Sequence, residues 1–189
     1  MVIGITGIYC SGKSIASSIF HDSGFRVIDV DSIGHEALEV KKDEIVRAFS
    51  ERVLKKNLID RKELGKIVFN RNTEMKRLEL IVHPWMVKRV KGLVKNDGDT
   101  VINAALLIEM GLHEVCDFVL GININKNIAV ERGMARDNLS KDEALRRLRS
   151  QISLKEKLHF VDKVIDNKGN AGEFKEKVRR VVETVRSKV

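Results

Sequence analysis

Val2-Ile3-Gly4-Ile5-Thr6-Gly7-Ile8-Tyr9-Cys10-Ser11-Gly12-Lys13-Ser14 is the stretch whose reading decides the fold. Val2 to Thr6 is short, apolar and β-branched, which predicts a buried strand. Helical spacing from about Lys13 to Asp22, stopped by Gly24, predicts a helix, and Phe25-Arg26-Val27-Ile28-Asp29 reads as a second strand. Strand, glycine turn, helix, strand is the opening of a parallel α/β sheet. The turn fits G-x-x-x-x-G-K-[ST]. Its glycines let backbone N–H groups face phosphate oxygens, Lys13 brings positive charge to the β- and γ-phosphates, and the Ser14 hydroxyl can ligate Mg²⁺. The helix starting near Lys13 points its positive dipole end at the same anion. A plain structural glycine turn is the competing reading, and the flanking strand and helix weigh against it. The expected nucleotide contacts are Gly7, Cys10, Ser11, Gly12, Lys13, Ser14 and Ile15. Tyr9 and Cys10 stand where smaller residues fit more easily, and Ile15 takes the place of a second hydroxyl residue.

Downstream, the pattern changes between about Asp31 and Asn96. Apolar residues recur at helical spacing (Ile45, Val46, Phe49; Leu64, Ile67, Val68, Phe69; Leu78, Ile81, Val82) with no convincing strand, which predicts a helical insertion. Pro84 is expected to begin a new helix or kink a long one. Strand character returns at Thr100 to Ala104 and at Asp117 to Ile122, while Leu106 to Glu109 is too short to classify. A helix is expected from about Asn127 to Arg136. Ser140 with Glu143 forms a capping box opening another. A last short strand falls within Phe160 to Ile165, and Glu173 to Val185 has helical spacing.

Composition bounds the rest. The 189 residues suit one domain with room for an inserted subdomain, and 43% hydrophobic residues is ordinary for a globular chain. A net charge of +8 favours anionic partners, which include nucleotides, phosphorylated metabolites and nucleic acids, without choosing among them. One Trp, one Tyr and seven Phe leave no basic platform interleaved with aromatics, so nucleic acid is not the expected partner. Cys10 and Cys116 are too far apart in sequence for a metal motif or a disulfide framework. The first residues lack the basic and apolar regions of a signal peptide, and no apolar run reaches the length of a membrane span. The expectation is a cytoplasmic protein with no membrane contact and no evident obligate protein partner.

Which phosphate-loop protein this is depends on other segments. A guanine reader needs Asn-Lys-x-Asp, and Asn125-Lys126-Asn127-Ile128 lacks the aspartate. A transport or motor ATPase has an apolar strand ending in a magnesium-binding acid, whereas Val101-Ile102 ends in Asn103 and the next acid is Glu109. The second strand instead ends in Ile28-Asp29-Val30-Asp31. Carboxyl ends of parallel strands face the ligand crevice, so an aspartate there can take the proton of an attacking hydroxyl or help hold Mg²⁺. Capping of the next helix is the alternative for Asp31. Arg132 and Arg136, four apart, share a helix face, and Arg146, Arg147 and Arg149 follow on the next helix. Arginines on a closing lid neutralise the charge of phosphoryl transfer and exclude water. For the last three, a solvated basic surface competes. These features point to an ATP-dependent small-molecule kinase.

Four stretches resemble one family, dephospho-coenzyme A kinase: TGIYCSGKS; VIDVDSIGHE; LIDRKELGKIVFN leading through LELIVHP; and ERGMARDNLSKDEALRRLRSQISLKEK followed by VDKVIDNKG. They span nearly the whole chain in the family's order. The resemblance implies a P-loop NTPase-like three-layer αβα fold with a five-stranded parallel sheet (core 1–31, 97–125 and 160–189), a helical acceptor-binding insertion (32–96) and a helical lid (126–159). It implies transfer of the ATP γ-phosphate to the ribose 3′-hydroxyl of dephospho-coenzyme A, with Mg²⁺. Lys13 and Ser14 would hold triphosphate and magnesium. Asp31 would be the base, with Lys13 and Arg136 also catalytic. Arg61 and His83 would bind the acceptor alongside Asp31, although His83 has a structural alternative at the turn before Pro84. Arg132 and Arg136 would belong to the lid, and Asp166-Asn167 to the loop around the adenine. The chain departs from the family where it usually has glycines near Ile8 and Cys10, threonine at Ile15, and proline before Leu106-Leu107.

Overall fold

The structure is a computed structural model that describes residues 1–95, 98–152, 154–168 and 170–187. In chain order the elements are β1 (Val2–Gly7), α1 (Lys13–Asp22), β2 (Arg26–Asp29), α2 (Val30–Val40), α3 (Lys42–Phe49), β3 (Leu54–Lys55), β4 (Leu58–Ile59), α4 (Arg61–Val68) and α5 (Asn72–Val94). There follow β5 (Thr100–Asn103), β6 (Phe118–Asn123), α6 (Lys126–Asp137), α7 (Lys141–Arg149), α8 (Leu154–Lys157), β7 (Lys163–Asp166) and α9 (Ala171–Arg186). The residues divide into two compact units, Met1–Asp29 with Val94–Val189, and Val30–Leu93. The boundary expected between residues 96 and 97 lies outside the described residues.

The first unit is built on a five-stranded sheet in the order β2-β5-β1-β6-β7. Every pairing is parallel, with Ile5 opposite Asn103 on one side and Leu120 on the other. β1 is central because both its faces are apolar and buried, as a strand inside a parallel sheet requires. The chain leaves β1 toward one edge and β6 leads to the other, so the carboxyl end of β1 is a topological switch point where ligands bind in open α/β sheets. One core joins Ile3, Ile5, Leu120 and Ile122 of the sheet to Phe20 of α1 and to Phe174, Val178 and Val181 of α9. The α9 residues stand at spacings of four and three, which puts an apolar stripe on one side of that helix. Phe20 and Phe25 meet edge to face at 5.2 Å. Asn170 caps α9, accepting from the Glu173 N–H at 2.9 Å, and Ser140 with Glu143 closes the expected capping box on α7.

The second unit is helical, with one departure from expectation. A small antiparallel hairpin pairs Leu54 with Ile59 and Lys55 with Leu58, so the region is not strand-free. Its turn residues Lys56 and Asn57 have φ of 51° and 64°, the two left-handed positions of a two-residue hairpin turn. Two-residue strands give no alternation to detect, and only the asparagine marked the turn. Of the two expectations for Pro84, the restart does not occur, and α5 runs through it as one helix of 23 residues. An interior proline costs about 3 kcal/mol through its lost donor and its clash with the preceding turn. The buried series Val82, Met86 and Val90, at helical spacing on both sides of Pro84, offsets that cost by packing.

Candidate active site

The loop between β1 and α1 turns through Ser11 N–H donating to the Ile8 carbonyl at 3.1 Å. Gly12 then takes φ 105° and opens α1, its carbonyl accepting from the Ala16 N–H at 3.1 Å. No side chain fits there, since a Cβ on Gly12 would stand 2.5 Å from Nδ2 of Asn167. Gly7 is equally confined, 2.6 Å from Ser11 Oγ by the same construction. Cys10 occupies the left-handed region at φ 55°, a conformation costing a non-glycine residue about 1–2 kcal/mol. The loop therefore keeps the backbone course of a glycine-rich turn at a position where this chain has a side chain.

Lys13 is buried, and its Nζ donates to the carbonyls of Gly7 and Ile8 at 3.3 and 3.2 Å, curling the ammonium back over the loop. Ser14 and Ile15 are exposed on the first turn of α1. Ser11 Oγ is buried and makes no hydrogen bond among the described residues. Asn167, just beyond β7, is buried and donates from Nδ2 to the Ser11 carbonyl at 2.8 Å, so it shapes the loop from beneath. Its neighbour Asp166 accepts from Asn123 Nδ2 at 2.5 Å, and that hydrogen bond holds its carboxyl below the usual range.

Among the described residues no group of three His, Cys, Asp or Glu is placed to hold a metal. A hydroxyl at the start of α1 beside a phosphate cradle nonetheless fits magnesium, which takes most of its ligands from phosphate and water and not from a protein cage.

A cluster around Tyr9 ties α6 and α7 to the loop. Asp137 receives Arg136 in two hydrogen bonds, Nε at 2.7 Å and an Nη at 3.0 Å, and Arg147 at 2.8 Å. The Tyr9 hydroxyl donates to the same carboxylate. The Arg136 and Arg147 guanidinium groups lie 5.2 and 5.9 Å from the centre of the Tyr9 ring, within cation–π range. Gln151 accepts from the Tyr9 N–H at 2.9 Å. Gly133 of α6 provides the notch, because a Cβ there would stand 2.3 Å from the Tyr9 ring. The hydrogen bonds of Arg136 and Tyr9 bring the Asp137 carboxyl down to about 2 despite its partial burial. Burial, and then the bond to Asp137, push the Tyr9 phenol up. Burial likewise raises the Cys10 thiol.

Arg136 therefore stands in a carboxylate fork and against a ring, next to the loop it was expected to serve. Arg132 makes no hydrogen bond or ion pair among the described residues. Lys157, fully buried, pairs with Glu109 at 3.0 Å and donates to the Ala105 carbonyl, anchoring the segment after β5 to α8. Asn103, at the carboxyl end of β5, is buried, and its Oδ1 has no hydrogen-bond partner among the described residues.

In the second unit, Asp31 lies within the first turn of α2, which begins at Val30, so it is not the residue preceding the helix. Its charge suits the helix's positive end. His35, one turn further on the same face, accepts from an Arg61 Nη at 2.7 Å. Asp60 caps α4 and thereby sets Arg61 at the helix start. His83 is half-buried inside α5, one residue before Pro84. Sequence reasoning gave no role to Tyr9, Asp137, Lys157 or His35. The His35 signal was its spacing of four from Asp31, and the Asp137 signal its place directly after Arg136. Lys157 carried none.

Comparison with known proteins gives the family. The dephospho-CoA kinase (CoaE) family model matches residues 1–173. The dephospho-CoA kinase of Fusobacterium nucleatum is 35% identical, with 98% of each chain covered. Among solved structures, TT1252 from Thermus thermophilus is 31% identical with a TM-score of 0.80, covering 100% of this chain and 97% of that one. The dephospho-CoA kinase from Campylobacter jejuni is 31% identical with a TM-score of 0.69, covering 97% and 96%. The five-stranded parallel sheet with flanking helices is that of the P-loop kinases. Matched over most of its length by the family's model and by relatives above 30% identity, this chain belongs to the dephospho-CoA kinase family.

Proposed function

We propose that this chain transfers the γ-phosphoryl group of ATP to the ribose 3′-hydroxyl of dephospho-coenzyme A, giving coenzyme A and ADP. The observation that carries the reading is the loop at the head of α1, with Gly12 in the left-handed region, Lys13 folded over it and two arginines from α6 and α7 gathered on Tyr9. Phosphoryl transfer is mostly positioning and charge stabilisation, and those are the two things such a constellation supplies.

In this reading the backbone N–H groups of the loop from Gly7 to Ile15 and the Lys13 ammonium hold the triphosphate. The Ser14 hydroxyl would hold the magnesium that arrives with ATP, and that ion would supply charge neutralisation at the triphosphate. Arg136 exchanges the Asp137 carboxylate for the transferring phosphoryl oxygens, and Arg132 adds charge from the same helix. Asp31 accepts the proton of the attacking 3′-hydroxyl. Arg61, oriented by His35, and His83 bind the acceptor, and Asn167 keeps the loop in shape beside the adenine. The first unit then supplies core and lid and the second the acceptor-binding insertion, in the cytoplasm, on two small molecules and without nucleic acid, membrane or an obligate protein partner.

An acceptor panel with ATP and Mg²⁺ tests the reading. Dephospho-coenzyme A is expected to be the preferred acceptor, and an analogue lacking the 3′-hydroxyl to give no product. A nucleoside that outcompetes it would overturn the assignment of acceptor.

A further inference from the structure

The helical unit contains a cavity of about 590 Å³ between α3, α4 and α5. Five cationic side chains line it, Arg47, Arg52, Lys66, Arg71 and Arg77, against one carboxylate, Glu74. Two of the cations are already engaged. Lys66 pairs with Glu63 at 2.6 Å, and Arg77 approaches Glu74 at 4.0 Å while lying 5.6 Å from the centre of the Phe49 ring. Arg47, Arg52 and Arg71 make no ion pair and no side-chain hydrogen bond among the described residues. Three unneutralised guanidinium groups on one cavity repel one another, and an anion between them removes that repulsion. Ser50, in the same wall, has φ 71°, a conformation seldom taken by a residue with a side chain. Strain of this kind costs about 1–3 kcal/mol and is retained where a site demands the backbone course.

We propose that this cavity is a binding site for the phosphates of a phosphorylated small molecule, separate from the residues assigned above to the acceptor hydroxyl. Asp31, Arg61 and His83 do not line it. Guanidinium forks match phosphate oxygens in pairs, so three of them suit a diphosphate better than a single carboxylate. The volume falls within the range of small-molecule sites and exceeds what an inorganic ion fills, while Phe49 and Ile67 supply an apolar wall for an organic portion. The diphosphate has two possible sources, the acceptor's own or that of a different phosphorylated metabolite, and the test separates them.

The binding arm uses inorganic pyrophosphate, titrated calorimetrically into the whole chain saturated with ADP and free of divalent metal, so that the phosphate loop is occupied. One site is expected, weakened at least tenfold in Arg71→Ser and lost in the triple variant Arg47→Ser/Arg52→Ser/Arg71→Ser. A control removes the same charge from α9 (Lys175→Ser/Arg179→Ser/Arg180→Ser) and is expected to keep the affinity. No binding by the wild type, or equal losses in the two triple variants, overturns the proposal. The kinetic arm then assigns the source. A rise in KM for dephospho-coenzyme A at unchanged kcat in the cavity variant identifies the acceptor's diphosphate, and an unchanged KM identifies a second metabolite. Because the binding arm needs no turnover, it stands or falls independently of the acceptor assignment.

Discussion

Asp31 and Asp137 both enter the proposed phosphoryl transfer, and their local settings differ. Asp31 is exposed in the first turn of α2, a position from which a carboxylate can receive a proton. Asp31→Asn is expected to lower turnover by about 10²-fold or more while ATP still binds, measured by single-turnover kinetics and nucleotide titration. Undiminished turnover would remove it as the base. Asp137 instead collects Arg136, Arg147 and the Tyr9 hydroxyl, and its carboxyl sits at about 2 against an ordinary 3.8. A depressed acid stabilises the fold above its ordinary value and loses that contribution as pH falls through the depressed one. The thermal midpoint of the wild type should therefore exceed that of Asp137→Asn near neutrality, with the gap closing between pH of about 4 and about 2. A constant gap across that window would mean that the charge of Asp137 contributes nothing. The residue types at Gly12, Lys13 and Ser14 were legible because the chemistry of a phosphate loop dictates both spacing and identity. Tyr9 was noticed only as a poor fit, because its purpose lies in a notch at Gly133, more than a hundred residues away in sequence.

α6 and the loop are joined through that notch, and the joint can be tested by changing both halves. Alanine at Gly133 gains intrinsic helix stability of about 1 kcal/mol but drives a methyl into the Tyr9 ring. Overpacking of this kind costs about 1–3 kcal/mol and would lift α6 from the loop. Gly133→Ala is expected to raise KM for ATP and to make α6 more susceptible to limited proteolysis. Adding Tyr9→Ala should restore resistance to the protease, since the clash is gone. A double variant no better than the single would show that Gly133 serves some other contact. The same comparison explains what the sequence revealed about elements. α1, α6 and α9 could be read because caps and apolar spacing are local properties. The β3–β4 hairpin could not, because two-residue strands have no period, and the choice between the two readings of Pro84 stayed open because the stripe of Val82, Met86 and Val90 acts only when packed. The Lys157–Glu109 pair was hidden for a related reason. A lysine in a charged run gives no sign that it will be fully buried.

At the scale of the whole molecule, a net charge of +8 acts on two anionic substrates before any contact forms. Raising ionic strength from about 0.01 to about 1 M shortens the screening length from about 30 to about 3 Å, so kcat/KM should fall for both ATP and the acceptor. A salt-independent kcat/KM would mean that capture relies on contacts at the site alone. The parallel α/β class and its helical insertion were visible in sequence. The strand order was not, because pairing in a parallel sheet is settled by packing between distant segments. That order bears on how the protein is born. β1 and the loop after it leave the ribosome before β5 and β6, yet among the described residues β1 pairs only with those two strands, which begin at Thr100 and Phe118, and the loop is latched by Asn167. At about 5–20 residues per second, the central strand waits about 5–20 s for its first neighbour. The loop is thus synthesised well before the residue that latches it, and a nascent chain cannot close that latch until Asn167 has emerged.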